Sequence, residues 1–79
     1  MGPRGDWPVE PAAACAALGY SYPGWRVWHV PERRNQPARY FAQRPRGPRR
    51  RSGVDAPAPW ALAVGIETVL EVDQDSAAR

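Results

Sequence analysis

Two stretches of the chain alternate between apolar and polar positions with a period of two. In Trp25-Arg26-Val27-Trp28-His29-Val30, an extended backbone places Trp25, Val27 and His29 on one side and Arg26, Trp28 and Val30 on the other. In Arg39-Tyr40-Phe41-Ala42-Gln43-Arg44, Tyr40, Ala42 and Arg44 oppose Arg39, Phe41 and Gln43. Aromatic and β-branched residues interleaved with polar ones suit a pleated, half-buried surface, so both stretches are expected as strands. The segment Pro31 to Pro37 between them is long for a tight turn and acceptable for a hairpin loop. Aromatics fall on both sides of each strand. Either both faces of this hairpin are partly covered, or one displays aromatics to a partner.

The flanking patterns differ. Glu10-Pro11 opens an alanine-rich run that reaches Leu18 and meets Gly19, the punctuation of a short helix of about two turns. Such a helix does not persist alone in water and must dock through Leu18 and its alanines. Tyr20 to Gly24 then forms the corner into the first strand, with Pro23-Gly24 as the turn. Residues 1–9 contain Pro3, Gly5 and Pro8 and are expected to be loose, although Trp7 would gain by packing back onto the sheet. Downstream, Arg44-Pro45-Arg46-Gly47-Pro48-Arg49-Arg50-Arg51-Ser52-Gly53 shows no periodicity and is expected to lie in a mobile loop over 45–58. Pro59 to Val64 reads as a short helix stopped by Gly65. From Ile66 the period changes to two, giving a third strand with Ile66, Leu70 and Val72 inward. A single helix from Pro59 to Val72 is the competing reading. Asp73 to Ser76 resembles a helix start with too little chain after it, which leaves 76–79 as a tail. Together these elements predict one small α+β domain over 10–75: an N-terminal helix, an antiparallel β-hairpin and a third strand, in the order α-β-β-(short α)-β.

The length of 79 residues fits one domain. A chain of this size buries only roughly 60% of its unfolded surface, so its core is thin and a deep, water-excluded active site is not expected. Every basic residue is an arginine, a bias that a GC-rich genome would also produce. The position of charge says more. Met1 to Trp25 carries one arginine against Asp6 and Glu10; Arg26 to Arg51 carries nine against Glu32; beyond Ser52, Arg79 stands against five acidic residues. A basic body with acidic flanks suggests a polyanionic partner, or a surface neutralised internally. No stretch approaches the ~20 apolar residues of a membrane span. Cys15 is the single cysteine, which excludes an intramolecular disulfide and suits a reducing, cytoplasmic setting.

Little chemistry converges. His29, the only histidine, has no second histidine, cysteine or carboxylate at a suitable spacing, and is expected to be a packed residue rather than a base or metal ligand. Cys15 lacks nearby basic residues and is expected as a small core residue. Glu67, Glu71 and Asp73 would form an acidic stripe, either solvated or paired with the hairpin arginines. No phosphate-cradling glycine loop, Ser/His/Asp set or metal-ligand spacing is present. The expectation is therefore a non-enzymatic module with no cofactor, no metal and no evident small-molecule substrate.

Tyr22-Pro23-Gly24-Trp25-Arg26-Val27-Trp28, Arg39-Tyr40-Phe41-Ala42-Gln43-Arg44 and Ala63-Val64-Gly65-Ile66-Glu67-Thr68-Val69 together resemble a group of short uncharacterised proteins of actinomycetes. Those proteins show a Pro-Gly-Trp-x-hydrophobic-Trp strand and an Arg-aromatic-aromatic-Ala-x-Arg strand. An Ala-x-Gly-hydrophobic segment then leads into a last strand. The resemblance covers about residues 10–75. It implies the hairpin fold and no particular activity. The chain departs from the group in its long arginine loop and in the expected lack of the helix that usually closes the fold.

Two partner classes fit. In the first, nucleic acid is bound mainly through phosphate contacts by Arg26, Arg39, Arg44, Arg46, Arg49, Arg50 and Arg51, with exposed Trp28, Phe41 or Tyr40 stacking on bases. A helix followed by three strands is also an order found in double-stranded-RNA-binding domains, an analogy of fold alone. In the second, an exposed aromatic patch or free sheet edge docks another protein or a second copy, and an exposed Trp28 would favour it. A domain this small needs many of its aromatics inside, which shifts the functional weight towards the arginines. A third possibility is a chain with little stable fold.

Overall fold

The computed structural model describes residues 6–45 and 51–77, which form helix α1 (Pro11–Ser21), strands β1 (Arg26–Val30), β2 (Arg39–Pro45) and β3 (Arg51–Ala56), and helix α2 (Pro59–Ala77). The strands make one antiparallel sheet in the order β1-β2-β3. Val27 lies opposite Ala42 and Ala42 opposite Val54; His29 lies opposite Tyr40 and Tyr40 opposite Ala56. These residues share one face of the sheet, and both helices cover it. α1 lies over β1, α2 over β2 and β3, and the helices touch each other. Ala14 and Leu18 of α1, Trp25, Tyr40, Ala42 and Ala56 of the sheet side, and Leu62, Ala63 and Ile66 of α2 make a single buried core.

The α+β class, the N-terminal helix, the hairpin and a third strand are all present. The last two elements are exchanged relative to the order expected from the pattern, giving α-β-β-β-α. The third strand is residues 51–56, inside the segment expected as a loop over 45–58; residues 46–50 of that segment lie outside the described residues. Serine, glycine, aspartate and alanine are weak strand formers, so the period-two set Ser52, Val54, Ala56 does not stand out from the arginine-rich stretch before it. Pairing supplies what propensity does not: every residue of β3 has a partner on β2, from Arg51 opposite Pro45 to Ala56 opposite Tyr40.

Residues 59–77 form one helix through Gly65 and through the stretch expected as a strand. The two periods coincide at Ile66 and Leu70, and burial separates them. Leu62, Ala63 and Ile66 are fully buried at helical spacing, whereas Val72, inward in the strand reading, is 57% exposed. Gly65 is a contact residue rather than a stop. A Cβ there would sit 3.4 Å from Val54 Cβ, so the bare backbone lets α2 lie close on β3. α2 is thus a closing helix, the element expected to be missing, and it takes in residues 73–77 that were expected beyond the last strand or in a tail.

α1 likewise runs through Gly19 to Ser21 and ends where the Tyr22 amide donates to the Leu18 carbonyl at 2.9 Å. The left-handed residue is Gly24, with φ of 89°. The Trp25 amide donates to the Tyr22 carbonyl at 3.2 Å, so Tyr22-Pro23-Gly24-Trp25 is a tight turn with proline second and glycine third, where a positive φ is needed. This turn delivers Trp25 into the core at the entrance to β1. Trp7 packs against the edge of the same core.

Candidate binding face of the sheet

Because both helices lie on one side, the other face of the sheet has no element of the described chain over it. Three cross-strand rows stand on it. Arg26 is opposite Gln43, which is opposite Gly53; Trp28 is opposite Phe41, which is opposite Asp55; Val30 is opposite Arg39. Trp28 and Phe41 stack with ring centroids 5.6 Å apart and planes 12° from parallel, and Trp28 remains 38% exposed. The pair lies between two shallow depressions, one lined by Arg26, Trp28 and Gln43, the other by Val30, Gln36, Pro37, Arg39 and Phe41. Arg39 donates from Nε and Nη2 to Asp55 Oδ2, each at 2.8 Å. Both groups are substantially exposed, so the pair fixes the guanidinium more than it stabilises the fold.

Beyond the face, the hairpin loop folds back on itself. The Arg33 amide donates to the Gln36 carbonyl at 2.8 Å and the Gln36 amide to the Arg33 carbonyl at 3.1 Å. This small bridge presents exposed Arg33 and Arg34 at the tip, where a third, open hollow lies between Glu32 and Pro37. Neither arginine stood out in the sequence, because the loop has no periodicity. Their place in the nine-arginine run was the available signal.

The expected site residues divide three ways. Arg26, Trp28, Arg39 and Phe41 come together on the open face. Arg44 does not join them: it lies on the helix-covered side with its guanidinium 5.1 Å from the Trp25 ring centroid, a cation–π contact at the rim of the core. Arg46, Arg49 and Arg50 lie outside the described residues, and Arg51 begins β3. Both halves of the aromatic expectation are met by different residues, since Trp25 and Tyr40 are buried while Trp28 and Phe41 face outward.

His29 packs on Tyr40 with centroids 4.6 Å apart. Burial pushes the Cys15 thiol up, away from thiolate reactivity. Among the described residues no group of three or more His, Cys, Asp or Glu could hold a metal ion, and no helix is long and apolar enough to cross a membrane. Glu67 belongs to the helical side and not to a strand stripe. The Tyr22 hydroxyl donates to Glu67 Oε2 at 3.0 Å, tying the α1–β1 turn to α2. Burial first, then the hydrogen bond and negative charge of Glu67, push the Tyr22 hydroxyl up to about 12. The folded protein therefore holds this proton more tightly than the unfolded chain. The stabilising contribution is complete below about pH 10 and is lost as the pH rises through about 12. Urea unfolding of the wild type against Tyr22→Phe should show the stability difference shrinking over that window and constant below it.

Charge is partitioned along the same lines. The open face and hairpin loop hold Arg26, Arg33, Arg34 and Arg39 against Glu32 and Asp55, while α1 has no charged residue and α2 has acidic residues alone. Comparison with protein-family models, with curated proteins and with solved structures returned no match.

Proposed function

We propose that the protein is a non-enzymatic nucleic-acid-binding module whose contact surface is the open face of the sheet with the adjoining hairpin loop. One observation carries this: a stacked pair, Trp28 exposed and Phe41 half-buried, stands between Arg26 and Arg39 on a face that no other element of the described chain covers. Arginines neutralise phosphates and release counterions, and flat aromatic rings offer surface to bases. The order α-β-β-β-α also occurs in double-stranded-RNA-binding modules, but here neither helix carries a basic residue. The two helices themselves therefore offer no arginine to a phosphate. A packed His29 and a raised Cys15 thiol support a binding role over catalysis, and a partly buried lone thiol suits a cytoplasmic setting.

The test is binding of fluorescent oligonucleotides followed by anisotropy at rising salt. Three phosphate contacts from Arg26, Arg33 and Arg34 should give an affinity that falls about 20- to 40-fold between 50 and 200 mM salt. The triple substitution Arg26→Ala/Arg33→Ala/Arg34→Ala should flatten that dependence. Salt-insensitive binding, or none to any DNA or RNA, overturns the proposal.

A second reading is supported by β1, which is an edge strand with no strand of the described residues paired on its outer side, next to exposed Trp28. A second copy or another protein could add a strand there. A stable dimer in sedimentation, abolished by a proline at an outward-facing amide of β1, would favour it.

A further inference from the structure

We infer that the open face takes single-stranded nucleic acid, with a base stacked on the Trp28–Phe41 pair and the strand running along β1 and β2. This rests on the nucleic-acid reading and deepens it. In a duplex the faces of the bases are already covered by their neighbours, and only edges and backbone remain to be touched. An aromatic pair in the middle of a sheet face gains nothing from those edges. It gains on the order of 1–3 kcal/mol from each unstacked base that an unpaired strand can lay on it.

Three features fit the surface to such a strand. First, Trp28 and Phe41 are direct cross-strand partners and lie within 12° of parallel, so a ring surface is already assembled before a ligand arrives. Second, the depressions on either side of the pair follow the strand direction. One contains Arg26 and Gln43 and the other Arg39, each a step of two residues from the stack. That step is roughly 6.6 Å, which puts a cation and a hydrogen-bonding amide within reach of the groups adjoining a stacked base. Third, Asp55 lies directly beyond Phe41 on β3. Its carboxylate holds Arg39 over the face in an ion pair, so the phosphates of the bound strand are directed towards Arg26 and the hairpin arginines. Gly53 leaves no side chain beside Gln43, and the Gln43 amide, a donor and an acceptor on one group, is positioned to meet a base edge.

The experiment measures binding of a fluorescent 12-nucleotide oligothymidylate, a 12-nucleotide oligouridylate and a blunt 12-base-pair duplex to the wild type, Trp28→Ala, Phe41→Ala and Trp28→Phe. Circular dichroism checks folding, and the indole N–H signals in NMR spectra report which tryptophan is touched. The expected result is single-strand binding that weakens roughly 5- to 150-fold in Trp28→Ala, one stacked base's worth, and recovers largely in Trp28→Phe. The Trp28 indole signal should move on addition of single strand while the buried Trp25 signal stays. Duplex binding, held by arginines alone, should be weak and indifferent to Trp28→Ala. Tight binding that neither aromatic substitution alters, or a duplex preferred over both single strands, overturns this inference and leaves an arginine-only nucleic-acid module standing. No binding of any nucleic acid, with Trp28→Ala instead abolishing self-association in sedimentation, overturns both and gives the face to a second copy of the chain.

Discussion

Ile66→Ala is expected to cost about 2–5 kcal/mol, while Val72→Ser, six residues along the same helix, is expected to change stability by less than about 0.5 kcal/mol. Ile66 is fully buried between α2 and the sheet, one helical turn from Leu62, which is also fully buried. Truncation removes apolar contacts and leaves a cavity that two helices pinned on a short sheet cannot collapse around. Val72 is 57% exposed, so its side chain has little burial to lose. A domain of this length has a total stability of roughly 4–12 kcal/mol, so the first change takes much of it. Urea denaturation of the two variants reads the difference directly as a shift in midpoint at constant slope. The pair also separates the two arrangements that the alternating pattern allows. In a strand with Ile66, Leu70 and Val72 inward, both substitutions would be costly; comparable losses from the two would refute the helix.

Trp25→Ala is expected to be equally severe, about 3–5 kcal/mol. Trp25 is 6% exposed and joins the core contributed by both helices and by Tyr40 and Ala42. It is held at its position by the turn through Gly24 and covered at its rim by the Arg44 guanidinium. Its removal deletes the largest side chain of a thin core and strips Arg44 of its ring partner at the same time. At about 4–8 °C per kcal/mol for a domain of this size, the thermal midpoint should fall by more than roughly 12 °C. Trp25→Phe should retain part of the lost stability, since an aromatic ring still fills the site. Trp28→Ala is the informative comparison: on the open face it should leave the melting temperature within a few degrees of wild type. A similar loss from the two tryptophans would mean that the outer face is as closely packed as the inner one.

Much of the framework could be read from local pattern. The strand expected to begin near Trp25 and the strand from Arg39 are β1 and β2 within a residue or so, and the helix opening at Pro11 is α1. Parity along β1 and β2 correctly grouped Trp28 with Arg26 and Phe41 with Arg39. It also placed Arg44 on the opposite face, although its charge invited its inclusion in the binding set. The third strand and the closing helix were not legible. Val54 is the single large apolar residue in β3, with glycine and aspartate on its exposed side, and a pattern carried by one residue is no pattern. In α2, a run of β-branched and acidic residues after Gly65 fits either period over seven positions. Only the length of the helix and the burial of Leu62 and Ile66 separate them.

Local sequence, then, determined the class of fold, the hairpin, the first helix and the segregation of positive charge to the middle of the chain. Each of these depends on neighbours at spacings of two to four residues. Tertiary structure decided which face of the hairpin is core and which is surface. Aromatics occur on both faces at the same spacing, so no local rule distinguishes Trp25 from Trp28. Both helices must share one side to build a single core from so few residues, and the side they cover takes Trp25 and Tyr40. The other side is left with Trp28 and Phe41 stacked in the open between two arginines, and the candidate site exists for that reason.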